Sequence, residues 1–191
     1  MTHLTLVRHG QTNWNLEDRW QGHMDIPLND TGAAQALALA EKLGNSHFEA
    51  VYSSDLQRAQ ATAAAIAHRH SLPIHLDARL REIRLGEWEG KLYKQLPTLY
   101  PEAWAERERD IEHARPPGDG ESLGMLTSRM LTAMNEICAR HDPNAHLLVV
   151  SHGLSLAVLL CHVQQRPLKE AIHLVPQNSS PIFIHWPPES P

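Results

Sequence analysis

At 191 residues the chain can bury one sizeable core and is short for two full domains. Seventeen Lys+Arg against 22 Asp+Glu give a net charge of -5, which argues against a general nucleic-acid binder and makes any site for a phosphorylated ligand a local basic pocket. The two cysteines, Cys138 and Cys161, show no C-x-x-C spacing, which argues against a disulfide framework or a cysteine zinc site and suits a reducing compartment.

Short apolar runs alternate with longer segments of helical period. A strand is predicted at residues 4–7, with no basic region and long apolar stretch of a signal peptide before it. No apolar run approaches the ~20 residues that cross a bilayer, so a cytoplasmic protein is expected. Residues 32–43 carry a helical stripe (Ala33, Ala36, Leu37, Ala40, Leu43) with Thr31 as N-cap and Gly44 beyond the end. A strand at 50–53 leads into a helix at 55–69, capped by Ser54, with Ala59, Thr62, Ala63 and Ile66 on one face. After a strand at 73–76, residues 84–117 are rich in Arg, Glu, Trp and Pro with weak periodicity, and read as a helical insertion or lid. A helix at 121–141 places Leu123, Leu126, Met130, Met134, Ile137 and Cys138 at core spacing. A strand at 146–151, an all-round apolar helix at 154–163 and a strand at 182–186 follow, then a short tail at 187–191 expected to lack structure.

This alternation predicts an α/β fold: a three-layer sandwich with a mostly parallel, doubly wound sheet, helices on both faces, and the insertion over the ligand edge. One domain, 1–191, is expected, as a monomer or homodimer.

The most informative feature is an echo. Leu6-Val7-Arg8-His9-Gly10 and Val149-Val150-Ser151-His152-Gly153 both read apolar run, polar residue, His, Gly. Each puts an imidazole just past the carboxyl end of a buried strand, the edge where doubly wound sheets bind ligands. Arg58, in the first turn of the helix after the strand at 50–53, emerges at the same edge. Arg8, Arg58 and the N-terminus of the helix after Gly153 would then point donors into one crevice, the usual partners of a phosphoryl group.

Arg8-His9-Gly10-Gln11-Thr12, followed by Trp14-Asn15 and Gln21-Gly22, resembles the signature of the histidine phosphatase superfamily, the phosphoglycerate-mutase-like fold. Ser53-Ser54-Asp55-Leu56-Gln57-Arg58-Ala59, Leu80-Arg81-Glu82 with Gly86-Glu87-Trp88-Glu89-Gly90, Gly118-Asp119-Gly120-Glu121-Ser122 and Ser151-His152-Gly153 resemble its further motifs, in the family's order. The resemblance implies the phosphatase branch: a metal-independent phosphomonoesterase acting on a small phosphorylated metabolite, with no cofactor, and with no nucleic acid or membrane as partner. It implies His9 as the nucleophile that becomes phosphohistidine, Arg8, Arg58 and His152 around the non-bridging oxygens, and Glu82 as proton donor. Asn15, Gln21, Gly22 and the Gly153 backbone are further expected substrate contacts.

Three other readings use the same residues. A cofactor-dependent phosphoglycerate mutase would work through the same site, but the mutases of the family carry longer segments after the acid and a C-terminal tail over the pocket. A non-catalytic phospho-ligand module would keep the fold without the chemistry. A serine hydrolase would use Gly153-Leu154-Ser155-Leu156-Ala157, although the last glycine of a nucleophile elbow is replaced there. No metal ligand set is expected, since His68 and His70 face apart on a helix. Substrate specificity is expected in residues 84–115, where basic and aromatic residues mix without singling any out.

Overall fold

In the computed structural model, which describes residues 1–188, the first apolar run forms β1 (Thr2–Arg8), buried at every position except His3 and Arg8. The tail expected at 187–191 falls largely on 189–191, outside the described residues. Further along come α1 (Asn13–Leu16), α2 (Asp30–Lys42), β2 (Ala50–Ser53), α3 (Gln57–His70) and β3 (Ile74–Leu76). The second half holds α4 (Leu96–Leu99), α5 (Pro101–Arg109), α6 (Leu123–Cys138), β4 (His146–Ser151), α7 (Gly153–Val163) and β5 (Pro181–Trp186). All five expected strands form, in the order β3-β2-β4-β1-β5, and every pairing is parallel except that of β5 with β1.

Alternation along the strands divides the core in two. Val7, Val51, Leu148 and Val150 face α2 and α3, meeting Leu39, Ala40, Ala59, Ala63 and Ile66. Leu4, Leu6, Tyr52, Leu147 and Val149 face α6 and α7, meeting Met130, Met134, Ile137 and Leu156. Strands covered on both faces read as continuous apolar runs, which is why 147–150 shows no polar alternation. Each such Val, Leu or Ile taken out of water contributes about 1.5–3 kcal/mol.

Two helix readings are corrected. Helix α2 is capped by Asn29, whose side chain accepts the Gly32 N–H at 2.8 Å, and not by Thr31. It buries Gly32, Ala36, Leu39, Ala40 and Leu43, leaving Ala33 and Leu37 exposed. Gly32 fixes this rotation by lying against the Gln11 backbone, where a Cβ would come within 2.1 Å of the carbonyl oxygen. Helix α3 starts at Gln57 without a side-chain cap; Ser54, the expected cap, is turned toward His152.

Within 84–117 the short helices α4 and α5 carry Leu96 and Trp104, which share the core with Leu85, Trp88 and the α6 face of the sheet.

Strand β1 leads to α2 on one face, while its neighbour β4 leads to α7 on the other. Adjacent parallel strands whose connections diverge leave a crevice outside their carboxyl ends. Arg8, His9, Ser151 and His152 stand there.

Candidate active site

His9 is the first residue beyond β1, held by its N–H on the Ser151 carbonyl (3.0 Å) and by Asn178 Nδ2 on its own carbonyl (2.7 Å). Its ring Nδ1–H donates to the Gly10 carbonyl at 2.7 Å, leaving Nε2 toward the cleft. Burial, then the charges of Arg58 and Arg8, hold its pKa well below the usual 6.5, so the ring is neutral at neutral pH. The turn that delivers it needs glycine: a Cβ at Gly10 would lie 2.5 Å from the Gly32 carbonyl oxygen. The Gly10 N–H binds Thr62 Oγ1 (2.9 Å), whose hydroxyl donates to the Arg58 carbonyl (2.8 Å), so the loop is tied to α3.

The His152 ring lies 5.1 Å from that of His9, centroid to centroid. Ser54 Oγ sits 2.8 Å from His152 Nε2 and already accepts the Leu56 N–H. Nε2 is the acceptor within reach of the Ser54 hydroxyl proton; with that bond made, the ring proton stands on Nδ1, a buried donor without a protein partner. Arg58 is fully buried; its Nη1 and Nη2 bind the carbonyls of Met24 (2.7 Å) and Gly22 (2.9 Å). Arg8 Nη1 binds the Pro176 carbonyl at 2.8 Å. The Nε–H of each arginine is buried with no acceptor. Burial lowers the pKa of both, Arg58 to about 10, so both remain cationic at neutral pH. Buried donors normally have partners, so three orphans around two adjacent imidazoles suit an anion.

Glu82 completes the cluster. Its Oε1 accepts from the N–H of Ile83 (2.9 Å) and from the N–H and hydroxyl of Ser155 (3.1 and 3.2 Å), and Oε2 from the Leu154 N–H (3.1 Å). The first turn of α7 opens on the crevice at Gly153, as expected from the sequence, but its Leu154 and Ser155 N–H groups donate to a carboxylate of the protein. The Ser155 hydroxyl is engaged with Glu82 and the Arg81 carbonyl (2.8 Å), the geometry of a support and not of a nucleophile.

These groups border a cleft of about 700 Å³. Arg8, His9, Asn15, Gln21, Gly22, Arg58, Glu82 and Gly153 line it, and His152, fully buried, stands beside His9. Asn15 Oδ1 caps the Thr12 N–H at 3.0 Å, and Gln21 is buried with Oε1 unpartnered. Sequence reasoning missed Asn178, Ser54, Ser155 and Arg129, whose Nη2 donates to the Glu82 carbonyl at 3.2 Å. Ser54 and Ser155 lay inside motifs but were read as a cap and a rival nucleophile, and Asn178 sits in a stretch without periodicity or motif. Among the described residues no three His, Cys, Asp or Glu side chains converge as a metal-ligand group, and no helix is long and apolar enough to cross a membrane.

Comparison with known proteins bears on this arrangement. The sequence profile of the histidine phosphatase superfamily (branch 1) matches residues 4–191. The chain belongs to the histidine phosphatase superfamily. Within that superfamily it is 36% identical over 167 residues to the metal-independent phosphoserine phosphatase of Arabidopsis thaliana, covering 86% of this chain and 70% of that one. It is also 36% identical over 182 residues to phosphoglycerate mutase-like protein 4 of the same plant, covering 94% and 78%. The solved structure of mycobacterial glucosyl-3-phosphoglycerate phosphatase in complex with VO3 superposes with a TM-score of 0.84 at 33% identity, over 96% of this chain and 92% of that one.

Proposed function

We propose that this histidine phosphatase superfamily member is a metal-independent phosphomonoester hydrolase for small phosphorylated metabolites, working through a phosphohistidine on His9. The neutral His9 Nε2 attacks phosphorus as the ester P–O bond breaks, and the departing alkoxide takes a proton from Glu82. The Glu82 carboxylate then takes a proton from water, whose oxygen displaces the His9 nitrogen and releases inorganic phosphate. Arg8, Arg58 and His152 hold the three non-bridging oxygens throughout. Phosphoryl transfer depends mainly on positioning and charge, so two guanidiniums and an imidazole N–H can supply what a bound cation supplies elsewhere.

The observation that carries this reading is the set of buried, unpartnered donors on Arg8, Arg58 and His152 beside a neutral imidazole whose orientation is locked by the Gly10 carbonyl. Relatives named as phosphoserine and glucosyl-3-phosphoglycerate phosphatases support it. The test is a phosphatase screen over a phosphometabolite panel with EDTA present. Turnover should persist under chelation, be inhibited by vanadate and be lost in His9→Ala; equal activity in that variant would refute the mechanism. Relatives named for phosphoglycerate mutase keep a second reading in play. It predicts transfer between positions on phosphoglycerate in place of phosphate release.

A further inference from the structure

Above the phosphoryl cradle the cleft changes character. Trp20, Ile83, Leu85, Leu154 and Ile172 line it and also bound a side cavity of about 30 Å³, closed at the back by Trp88, Ala114 and Leu123. A cavity of that size admits only one or two carbon-sized atoms, by comparison with the ~10–15 Å³ that a water needs. Glu121, which borders the same cavity, has its carboxylate engaged by Arg129 at 2.6 Å and by the Arg84 N–H at 2.9 Å.

The cations nearby are already engaged; Arg115, which lines the side cavity with Arg107, donates its Nε–H to the Gly120 carbonyl at 2.7 Å. Arg19 is engaged with Glu17 (2.8 Å) and the Gly90 carbonyl (2.6 Å). Arg107 lies over the rings of Trp20 and Trp104, 5.7 and 5.0 Å from their centroids, where the π faces stabilise its charge. Among the described cleft-lining residues, Lys94 is the one cation outside the cradle with neither an ion-pair nor a hydrogen-bond partner, and it is exposed at a rim it shares with Glu17 and Asp18. A second anionic group at that rim would meet two carboxylates and one mobile ammonium, and deeper in, two guanidiniums already held by indole rings and a backbone carbonyl. An apolar group would meet indole, isoleucine and leucine.

We infer that the leaving alcohol is uncharged and apolar, a short alkyl chain that lies along Trp20 and Ile172 with its end in the side cavity. The inference deepens the hydrolase reading, on which the identity of that group as a leaving group rests. It separates this chain from an enzyme built for carboxylated phosphoesters.

Ethyl, butyl and hexyl phosphate release alkoxides of nearly equal basicity, so their relative kcat/KM reads contact with the protein and not ease of departure. Each methylene buried should raise kcat/KM about fourfold, until the cavity is filled. Butyl phosphate should exceed phosphoserine and 3-phosphoglycerate. Ile172→Ala, at a half-exposed position that tolerates truncation, should flatten the series. Ethyl-, butyl- and hexylphosphonate, measured by calorimetry, read the same gradient without turnover. A flat series in both measurements overturns the inference, as does a preference for phosphoserine over butyl phosphate that disappears in Arg107→Met. Graded phosphonate binding without His9-dependent turnover would remove the hydrolase reading and leave the subsite standing. His9-dependent turnover with flat series would do the reverse.

Discussion

Arg129 never touches the cleft, yet it fixes the loop that carries Glu82. Its guanidinium donates to the carbonyls of Arg79 (2.7 Å), Arg81 (3.0 Å) and Glu82 (3.2 Å), and grips Glu121 with two bonds of 2.9 and 2.6 Å. Arg129→Met keeps much of the aliphatic stem and removes all of these. The paired side chains are only 19% and 10% exposed, and severing a buried pair from one side costs about 3–5 kcal/mol. The Arg84 N–H still bound to Glu121 places the expected loss near the lower end, about 3 kcal/mol. For a chain of this length that corresponds to a Tm drop of about 6–12 °C. The kinetic consequence should be selective. A displacement of about 1 Å at Glu82 slows proton delivery about 10²-fold, which matters only when the leaving group needs the proton. Butyl phosphate should lose that factor in kcat/KM, while 4-nitrophenyl phosphate, whose phenolate leaves unprotonated, should be nearly unchanged. The parameter must be kcat/KM, because it stops at the phosphohistidine, whereas kcat includes the water step that also needs Glu82. Assays run well below the lowered Tm, with Glu82→Gln as the reference for pure acid loss, decide it. Equal losses on both esters, or an unaffected alkyl ester despite the Tm drop, would refute the positioning argument.

Three further outcomes are expected. Burial first, and the arginine charges after it, push the pKa values of His9 and His152 well below 6.5. Below that value the unfolded chain binds protons that the native state refuses, so this stability is fully present above pH ~6.5 and is lost as pH falls toward the native values. Tm should therefore drop between about pH 7.5 and about pH 5.5, and the acid limb of kcat/KM should lie below the ordinary histidine range; a limb at or above it contradicts a neutral His9. Gly10→Ala forces a Cβ against the Gly32 backbone, an overpacking worth about 1–3 kcal/mol, and should displace His9; unchanged Tm and kcat/KM would show that the turn can give way. Ser54→Ala leaves His152 Nε2 without its donor, at about 1–3 kcal/mol, and frees the ring to change tautomer; a loss confined to stability, with kcat/KM intact, would mean that the Nδ1 proton plays no part in catalysis.

How much of this was legible in the sequence depends on which force set each feature. Burial wrote the strands and the α6 stripe plainly, because Leu126, Met130, Met134 and Ile137 recur at helical spacing and all are fully buried. The rotation of α2 was not legible, since Leu37 and Leu39 are equally apolar and the choice between them is made by a backbone contact of Gly32 with Gln11. His9, Arg58 and His152 could be named because each stands at a strand or helix end, and Glu82 because it falls in a motif that resembles the family's. Their supports could not. Asn178 reaches the His9 carbonyl, and Arg129 reaches Glu121 and the Glu82 carbonyl, through folds of the chain that no local pattern encodes. The N-terminus of α7 was legible only in part for the same reason: a helix end favours negative charge, and only the tertiary fold decides that the Leu154 and Ser155 N–H groups meet Glu82 in place of a ligand, while Gly153 stays on the cleft.

That last substitution bears on how an acidic molecule holds a dianion. Arg8 and Arg58 are tied to backbone carbonyls, which orient them without neutralising them, and Glu82 is the carboxylate whose field acts most strongly on both. Two guanidiniums and one carboxylate, with both imidazoles neutral, leave the cluster with one net positive charge. In the proposed mechanism a phosphoryl dianion brings two negative charges and Glu82 one proton, which takes the sum from plus one to zero. That proton is the one the alkoxide removes. Charge balance in a buried site thus couples substrate arrival to the loading of the acid, and a third arginine in place of His152 would break the coupling by leaving the bound state already neutral without any proton on Glu82.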